Sequence, residues 1–439
     1  MKAPSIHVVN LGCSKNLVDT ERVYGDFLTA GFRMAEFPEQ ASMVVVNTCG
    51  FIEAAKEESI NEILARIAER PRGQKVVVAG CLSQRYMSDL KNEIPEVDLW
   101  AGTYKPGELV DLVKKSGWGL QPECASEQRT PRLLTTSNHS AYLKISEGCD
   151  RVCSFCAIPG IRGKHESRTA DEIVQEINDL HGAGVQEAIL IAQDLTYWGK
   201  DLGKGHSLAG LLKKILDETA IPWIRLTYAY PQFIDDELLD LIANSGRICR
   251  YLDMPLQHGS EKMLKSMRRG HTREGLRTLL NRIREKVPGI ALRTTFLLGF
   301  PGETEDDFQE LMELVEENRF ERLGGFTYSP EEGTHGFDLP GAVDPEIAQD
   351  RLARLMRRQS EISLELNEER IGQELTVLVD EIAEGQSHRF AARTEFDAPE
   401  VDNSVLILDG DADPGAFCRV KIVGATEYDL EAVVVGSEA

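Results

Sequence analysis

Three cysteines, Cys149, Cys153 and Cys156, stand close together in the stretch SEGCDRVCSFC at a Cys-x3-Cys-x2-Cys spacing. Thiolates so grouped are soft ligands, suited to zinc, copper(I) or iron-sulfur clusters. A tetrahedral zinc site wants a fourth Cys or His at short spacing. The residues that follow are AIPGIRGK, and His165 lies nine positions past Cys156, so zinc stays open but fits less well. Three ligands for four irons would leave one iron free to bind and activate a small molecule. A structural metal knuckle, or three buried thiols, is the plainer reading of the same residues.

A second set, Cys13, Cys49 and Cys81, shares a position rather than a spacing. Each ends a β-branched run (IHVVNLG, MVVVNT, KVVVAG) and precedes an amphipathic stretch. Continuous Val/Ile runs alternating with helical patterns predict a parallel sheet covered on both faces. Ligands of such sheets bind beyond the carboxyl ends of the strands, where all three cysteines fall. That coincidence favours a shared metal site over three core thiols, again with three protein ligands and one open position.

The elements that must position these residues follow from periodicity. From residue 140 a second βα series runs through AYLKISE, EAILIAQD, WIRLTYA, CRYLDMPL, IALRTTFLLG and RLGGFTYS. Helical patterns separate them, with capping starts at Thr169 (with Glu172) and Thr304. Six strands alternating with helices predict a βα barrel or partial barrel with its chemistry at the C-terminal strand ends, where the Cys149 loop begins. Residues 106 to 139 read as a linker with an edge segment, Cys124 incidental within it. Residues 344 to 370 read as one long charged amphipathic helix leaving the barrel. After Gly372 short alternating strands predict a small all-β barrel, with Cys418 in its core.

Composition bounds the function. With 42% hydrophobic and 28% charged residues the chain is of ordinary globular composition, and its 439 residues can bury large cores. No apolar run reaches a membrane span and the start lacks a signal-peptide core, so a cytoplasmic location is expected. Nine cysteines are too few for a disulfide scaffold. A net charge of -23 argues against gripping nucleic acid with the whole surface. Residues 373–439 hold 15 Asp or Glu against four bases, a net of -11. Such a tail would repel a polyanion within a Debye length of about 8 Å and attract a basic partner.

The motifs NLGCSKN, NTCGFI, AGCLSQRY and GCDRVCSFC, in that order, resemble those of the methylthiotransferases, a family of radical S-adenosylmethionine enzymes, over essentially the whole chain. The resemblance implies an N-terminal parallel α/β, Rossmann-like domain over 1–125 and a radical-SAM partial TIM barrel, (βα)6, over 135–370. It implies a TRAM-like all-β barrel over 373–439. Two four-iron four-sulfur clusters are implied. Cys149, Cys153 and Cys156 would hold the one that binds S-adenosylmethionine, and Cys13, Cys49 and Cys81 an auxiliary one that carries the sulfur. AQDLTYWG, YLDMPLQH and IPGIRGKHESR resemble the branch that modifies an aspartate of the small-subunit ribosomal protein twelve at its β-carbon. The expected partners are thus a basic ribosomal protein, free or on the small subunit, and an electron donor such as flavodoxin or ferredoxin, with no membrane.

Other rim residues are candidates for S-adenosylmethionine. Phe155 precedes the last cysteine of the loop. Gln193 and Asp194 could meet the methionine amino group, Arg293 its carboxylate, and Gly299 with Phe300 the adenine. His258 reads as ligand, base or structural histidine. The run Lys262, Lys265, Arg268, Arg269 and Arg273 reads as a solvated helix face or an RNA contact. Two rival functions remain at this level: the same chemistry on a transfer RNA adenosine, and an iron-sulfur carrier without radical chemistry.

Overall fold

The computed structural model describes residues 4–118, 132–383 and 388–437; Cys124 lies outside them. The first three βα units form as the runs require. Strands β1 (Ser5–Asn10), β3 (Met43–Thr48) and β4 (Lys75–Gly80) pair in parallel, and two short edge strands, β2 (Arg33–Met34) and β5 (Leu99–Trp100), complete a sheet of order β2-β1-β3-β4-β5. Every residue of β3 is buried, as a central strand covered on both faces must be. Helices α1 (Ser14–Thr29), α2 (Glu53–Glu69) and α3 (Cys81–Glu93) follow the cysteine-tipped strands directly. The expected linker begins instead with a helix, α4 (Glu108–Lys115), because Leu109, Val110 and Val113 bury one face against the sheet.

The second series gives six parallel strands in the open order β13-β12-β11-β10-β9-β6: β6 (Ser140–Lys144), β9 (Glu187–Ile191), β10 (Trp223–Leu226), β11 (Ile248–Asp253), β12 (Ala291–Leu298) and β13 (Arg322–Thr327). A two-strand ribbon, β7 (Ser146–Glu147) with β8 (Glu166–Ser167), brackets the Cys149 loop and the helix α5 (Ile158–Arg162). Helices α6 (Ala170–Gly182), α7 (Leu208–Glu218), α8 (Asp236–Asn244), α9 (Glu261–Ser266), α10 (Arg273–Lys286) and α11 (Glu305–Asn318) cover the outside. Both Thr169 and Thr304 form capping boxes, the latter with Asp307. The last helix, α12 (Pro345–Glu368), does not leave the barrel. Ala348, Leu355 and Ile362 recur at seven-residue spacing, and all three are buried. That apolar seam lays α12 against β13, so its charged pattern is only its outer face.

The C-terminal strands β14 (Glu374–Ile382), β15 (Phe390–Thr394), β16 (Val405–Asp409), β17 (Phe417–Ala425) and β18 (Leu430–Ser437) close into a barrel of order β14-β15-β16-β18-β17, with Cys418 in its core. This module seats on the N-terminal ends of the central strands. Glu187, at the start of β9, meets Arg225 at 2.6 Å and Arg393 of β15 at 2.9 Å. Arg322 binds Asp397 at 2.8 Å, and Arg293 binds Asp402 at 3.2 Å. Two of the tail's acids, Asp397 and Asp402, are thus paired with barrel arginines.

Burial alone would raise the Glu187 carboxyl, but Arg225 and Arg393 outweigh it and hold the group at about 2. A carboxyl depressed below its ordinary value of 4.5 stabilises the fold above that value and loses its contribution as pH falls toward 2. The thermal midpoint is expected to drop through that window, and Glu187→Gln to flatten the drop while lowering stability at neutral pH. Equal slopes for both proteins in scanning calorimetry would remove Glu187 as the cause.

Candidate active site

The Cys149 loop is shaped by its neighbours before any ligand arrives. Gly148 has φ +71, and a Cβ there would come within 2.0 Å of the Lys164 carbonyl, so only glycine allows the approach. Cys149 N donates to Gly163 O at 3.1 Å. Ser154 ties the loop to α9, its N–H to Met267 O at 3.1 Å and its hydroxyl to Ser266 O at 2.8 Å. Two donors already point at sulfur: Arg151 N at 3.5 Å from Cys149 Sγ and Arg269 Nη1 at 3.1 Å from Cys153 Sγ. Burial pushes the Cys149 thiol up to about 11 and the Cys156 thiol to about 12. Buried thiols of that kind become ligands when metal displaces their protons.

The second set is held by backbone packed against backbone. Gly12, Gly50 and Gly80 bring the three strand ends together; a Cβ on Gly50 would sit 2.6 Å from Leu82 Cα, and one on Gly80 2.6 Å from Thr48 O. Asn16 donates to Leu11 O and Thr48 O, and Asn47 to Asn16 O, which stitches α1 to the sheet rim. Burial first, then the neighbouring Cys13 and Cys81, raise the Cys49 thiol to about 11. All eight cysteines of the described residues are free. Among those residues, no three His, Cys, Asp or Glu side chains close on a point fit for one metal ion.

Arg162 joins the two sets. It ends α5, the helix that leaves Cys156, and reaches the N-terminal sheet: Nε to Cys81 Sγ at 3.3 Å, Nη2 to Asn16 Oδ1 at 2.6 Å, Nη1 to Asp19 at 2.9 Å and to Glu147 at 3.1 Å. Burial raises the Cys81 thiol, and Arg162 draws it part of the way back. Lys144 completes the network by binding both Asp19 and Glu147. A second clamp, Arg85 and Lys56 on Glu331 at 2.7 and 3.0 Å, docks α3 and α2 on the strand-end loop after β13.

Residues 5–102 match the uncharacterized protein family UPF0004, residues 143–315 the Radical SAM superfamily and residues 371–435 the TRAM domain. The chain is 47% identical to the ribosomal protein uS12 methylthiotransferase RimO of Cytophaga hutchinsonii over 98% of each chain. The chain belongs to this family. RimO of Aquifex aeolicus is 45% identical, over 97% of this chain and 96% of its own. The fold also resembles that of the radical S-adenosylmethionine methyltransferase TsrM of Kitasatospora setae, with a TM-score of 0.55, 16% identity and coverage of 75% of this chain and 77% of that one.

Within this uS12 methylthiotransferase family member, most residues singled out from sequence gather at the loop. Phe155 packs with Met263, Met267 and Phe300, and Phe300 meets Tyr328 edge-on at 5.0 Å. Gly299 N donates to Glu303 at 2.7 Å, with φ +77. Gln193 donates to Glu147 at 2.9 Å and leaves its Oε1 buried without a partner; Asp194 accepts from Arg151 at 2.8 Å. Arg293 reaches the rim at Asp253. It lies between Asp253, at 3.0 Å, and Asp402 of the β module, so its charge is already engaged. His258 accepts at Nδ1 from Gly259 N and Ser260 N, and its ring is fully buried. Of the basic run, Lys262, Arg269 and Arg273 are engaged within the fold, Arg269 at Cys153 itself. Sequence reading missed Lys15, Asn16 and Arg162 as site residues, although all three sit inside motifs it had singled out.

Proposed function

We propose that this chain transfers a methylthio group to the β-carbon of an aspartate of ribosomal protein uS12, using S-adenosylmethionine and iron-sulfur clusters. The observation that carries the reading is the docking of two three-cysteine sets on facing rims through Arg162. Cys149, Cys153 and Cys156 would hold one cluster and Cys13, Cys49 and Cys81 a second. When bound, these groups supply the reducing electron, an iron open to S-adenosylmethionine and the sulfur to be transferred, while the protein binds and orients.

The chain's own residues divide that labour. Phe155 and Phe300 form an apolar wall beside the loop, and Gln193 Oε1 offers a free acceptor to an ammonium group. Arg269 fixes Cys153 while its guanidinium stacks 4.4 Å from the Tyr230 ring. Val18 of α1 packs among Ile189, Ile191, Tyr142 and Tyr228 of the barrel, an apolar contact between the two domains.

The acidic module supports a protein substrate less directly than its charge suggests. It packs against the starts of the barrel strands, at Glu187 and Arg322, and only its segment around Pro399 and Asp402 reaches Tyr142 and Arg293. Its exposed acids, Glu381, Asp413 and Glu427 among them, remain available to a basic partner. Mass spectrometry of uS12 from cells lacking the gene tests the function. Loss of the methylthioaspartate mass is expected; an unchanged signal, or loss of a methylthio mark from transfer RNA instead, rejects it.

A further inference from the structure

The face of α1 that meets the barrel repeats at helical spacing: Lys15, Val18, Asp19 and Arg22. Three of these are accounted for. Val18 fills the apolar plug, Asp19 binds Lys144 and Arg162, and Arg22 binds Glu176 at 3.2 Å. Lys15 differs. Its side chain is buried at 8% exposure, its Nζ lies 2.9 Å from the centroid of the Tyr228 ring, and among the described residues it makes no hydrogen bond or ion pair.

The carboxylates at this rim are committed elsewhere. Asp19, the natural i+4 partner of Lys15, is held by Lys144 and Arg162; Glu147 by Lys144, Arg162 and Gln193; Asp194 by Arg151; Asp253 by Arg293 and Tyr228 N. Tyr228 itself is kept in a left-handed backbone conformation, φ 61, by its N–H to Asp253 at 3.0 Å and by Leu195 N on its carbonyl at 3.0 Å. Such strain persists where the surroundings impose it, commonly at functional sites. The Lys15 ammonium therefore faces a tyrosine ring and, among the described residues, no carboxylate, with its Nζ still open to an incoming group. The position is built for an anion that arrives with a ligand.

We infer that Lys15 Nζ receives the side-chain carboxylate of the substrate aspartate. The inference rests on the uS12 reading above and names the residue that would make it selective. Lys15 stands two positions after Cys13, on the element that carries the sulfur-supplying set, and points at the barrel from there. An acceptor carboxylate held at that point leaves the adjoining carbon one bond away. A neutral amide or a nucleobase brings no charge to the same place and leaves the ammonium uncompensated.

The test uses full-length, cluster-loaded protein under anaerobic conditions. Two fluorescent peptides of the uS12 loop are compared, one with the native aspartate and one with asparagine in its place. Wild type is expected to favour the aspartate peptide by on the order of ten- to a hundred-fold, as for a hydrogen bond between charged groups. Lys15→Gln should bring the ratio close to one with iron content and S-adenosylmethionine affinity unchanged, and Lys15→Arg should restore part of it. Independently of folding of the variants, carbodiimide should couple the aspartate peptide to Lys15 of wild type, as mapped by mass spectrometry. A ratio that survives Lys15→Gln, loss of S-adenosylmethionine affinity with the ratio kept, or coupling of bound peptide elsewhere than at Lys15 overturns the inference alone. Wild type that ignores both peptides and binds a transfer RNA stem-loop overturns the uS12 reading as well.

Discussion

Replacing Cys153 by Ala is expected to abolish cleavage of S-adenosylmethionine to deoxyadenosine, whereas replacing Cys49 by Ala should leave cleavage intact and stop sulfur transfer. The asymmetry follows from where the two thiols are held. Cys153 lies in the loop pinned to α9 by Ser154 and receives Arg269 Nη1 on its sulfur. Cys49 belongs to the other rim, where Ser59 fixes its backbone from both sides, Cys49 N to Ser59 Oγ at 3.0 Å and Ser59 Oγ to Cys49 O at 2.8 Å. Neither change perturbs the other loop. Iron per chain should fall to about half in each variant if three thiols serve each of two clusters. The readouts are chromatography of deoxyadenosine, an iron and sulfide count, and mass spectrometry of the uS12 peptide. Repeated sulfur transfer by the Cys49 variant would sink the two-site division of labour.

Arg162→Ala is expected to uncouple the two sites without removing either. The guanidinium is 4% exposed and serves four partners on both sides of the interface. Breaking a buried pair typically costs about 3 to 5 kcal/mol, and the low end applies because Lys144 still partners both carboxylates. Burial alone would raise the Glu147 carboxyl; Lys144, then Arg162, hold it at about 2, so loss of Arg162 should let that value climb. A small displacement between reacting centres can cost on the order of a hundred-fold in rate, so methylthio transfer should fall by about that much while deoxyadenosine formation persists. Arg162→Lys should rescue little, since one ammonium cannot reach Cys81, Asn16, Asp19 and Glu147 together. Hydrogen exchange should quicken in α1 and α3. Full coupling in the alanine variant would show that the rims are aligned by other contacts.

What could be read from the chain alone was whatever depends on spacing and period. The Val/Ile runs fix the parallel strands because a strand buried on both faces has no polar side to show. Three cysteines at equivalent strand ends, and three in one loop, are likewise visible as two groups from spacing alone. Local chemistry also sufficed for the capping boxes at Thr169 and Thr304 and for the closed β module after Gly372. Periodicity misled where a charged outer face hid an apolar seam, as in α12, and where a short helix, α4, resembled linker composition.

Tertiary structure alone decided which charges meet. Arg293 is held between Asp253 and Asp402, and Asp397 of the β module meets Arg322 of the barrel. Both depend on pairs far apart in sequence, which no local pattern encodes. The same holds for Arg162 and Lys15. Their residue types are unremarkable; Arg162 is saturated with partners across the interface, while Lys15, beside Tyr228, makes no hydrogen bond or ion pair among the described residues.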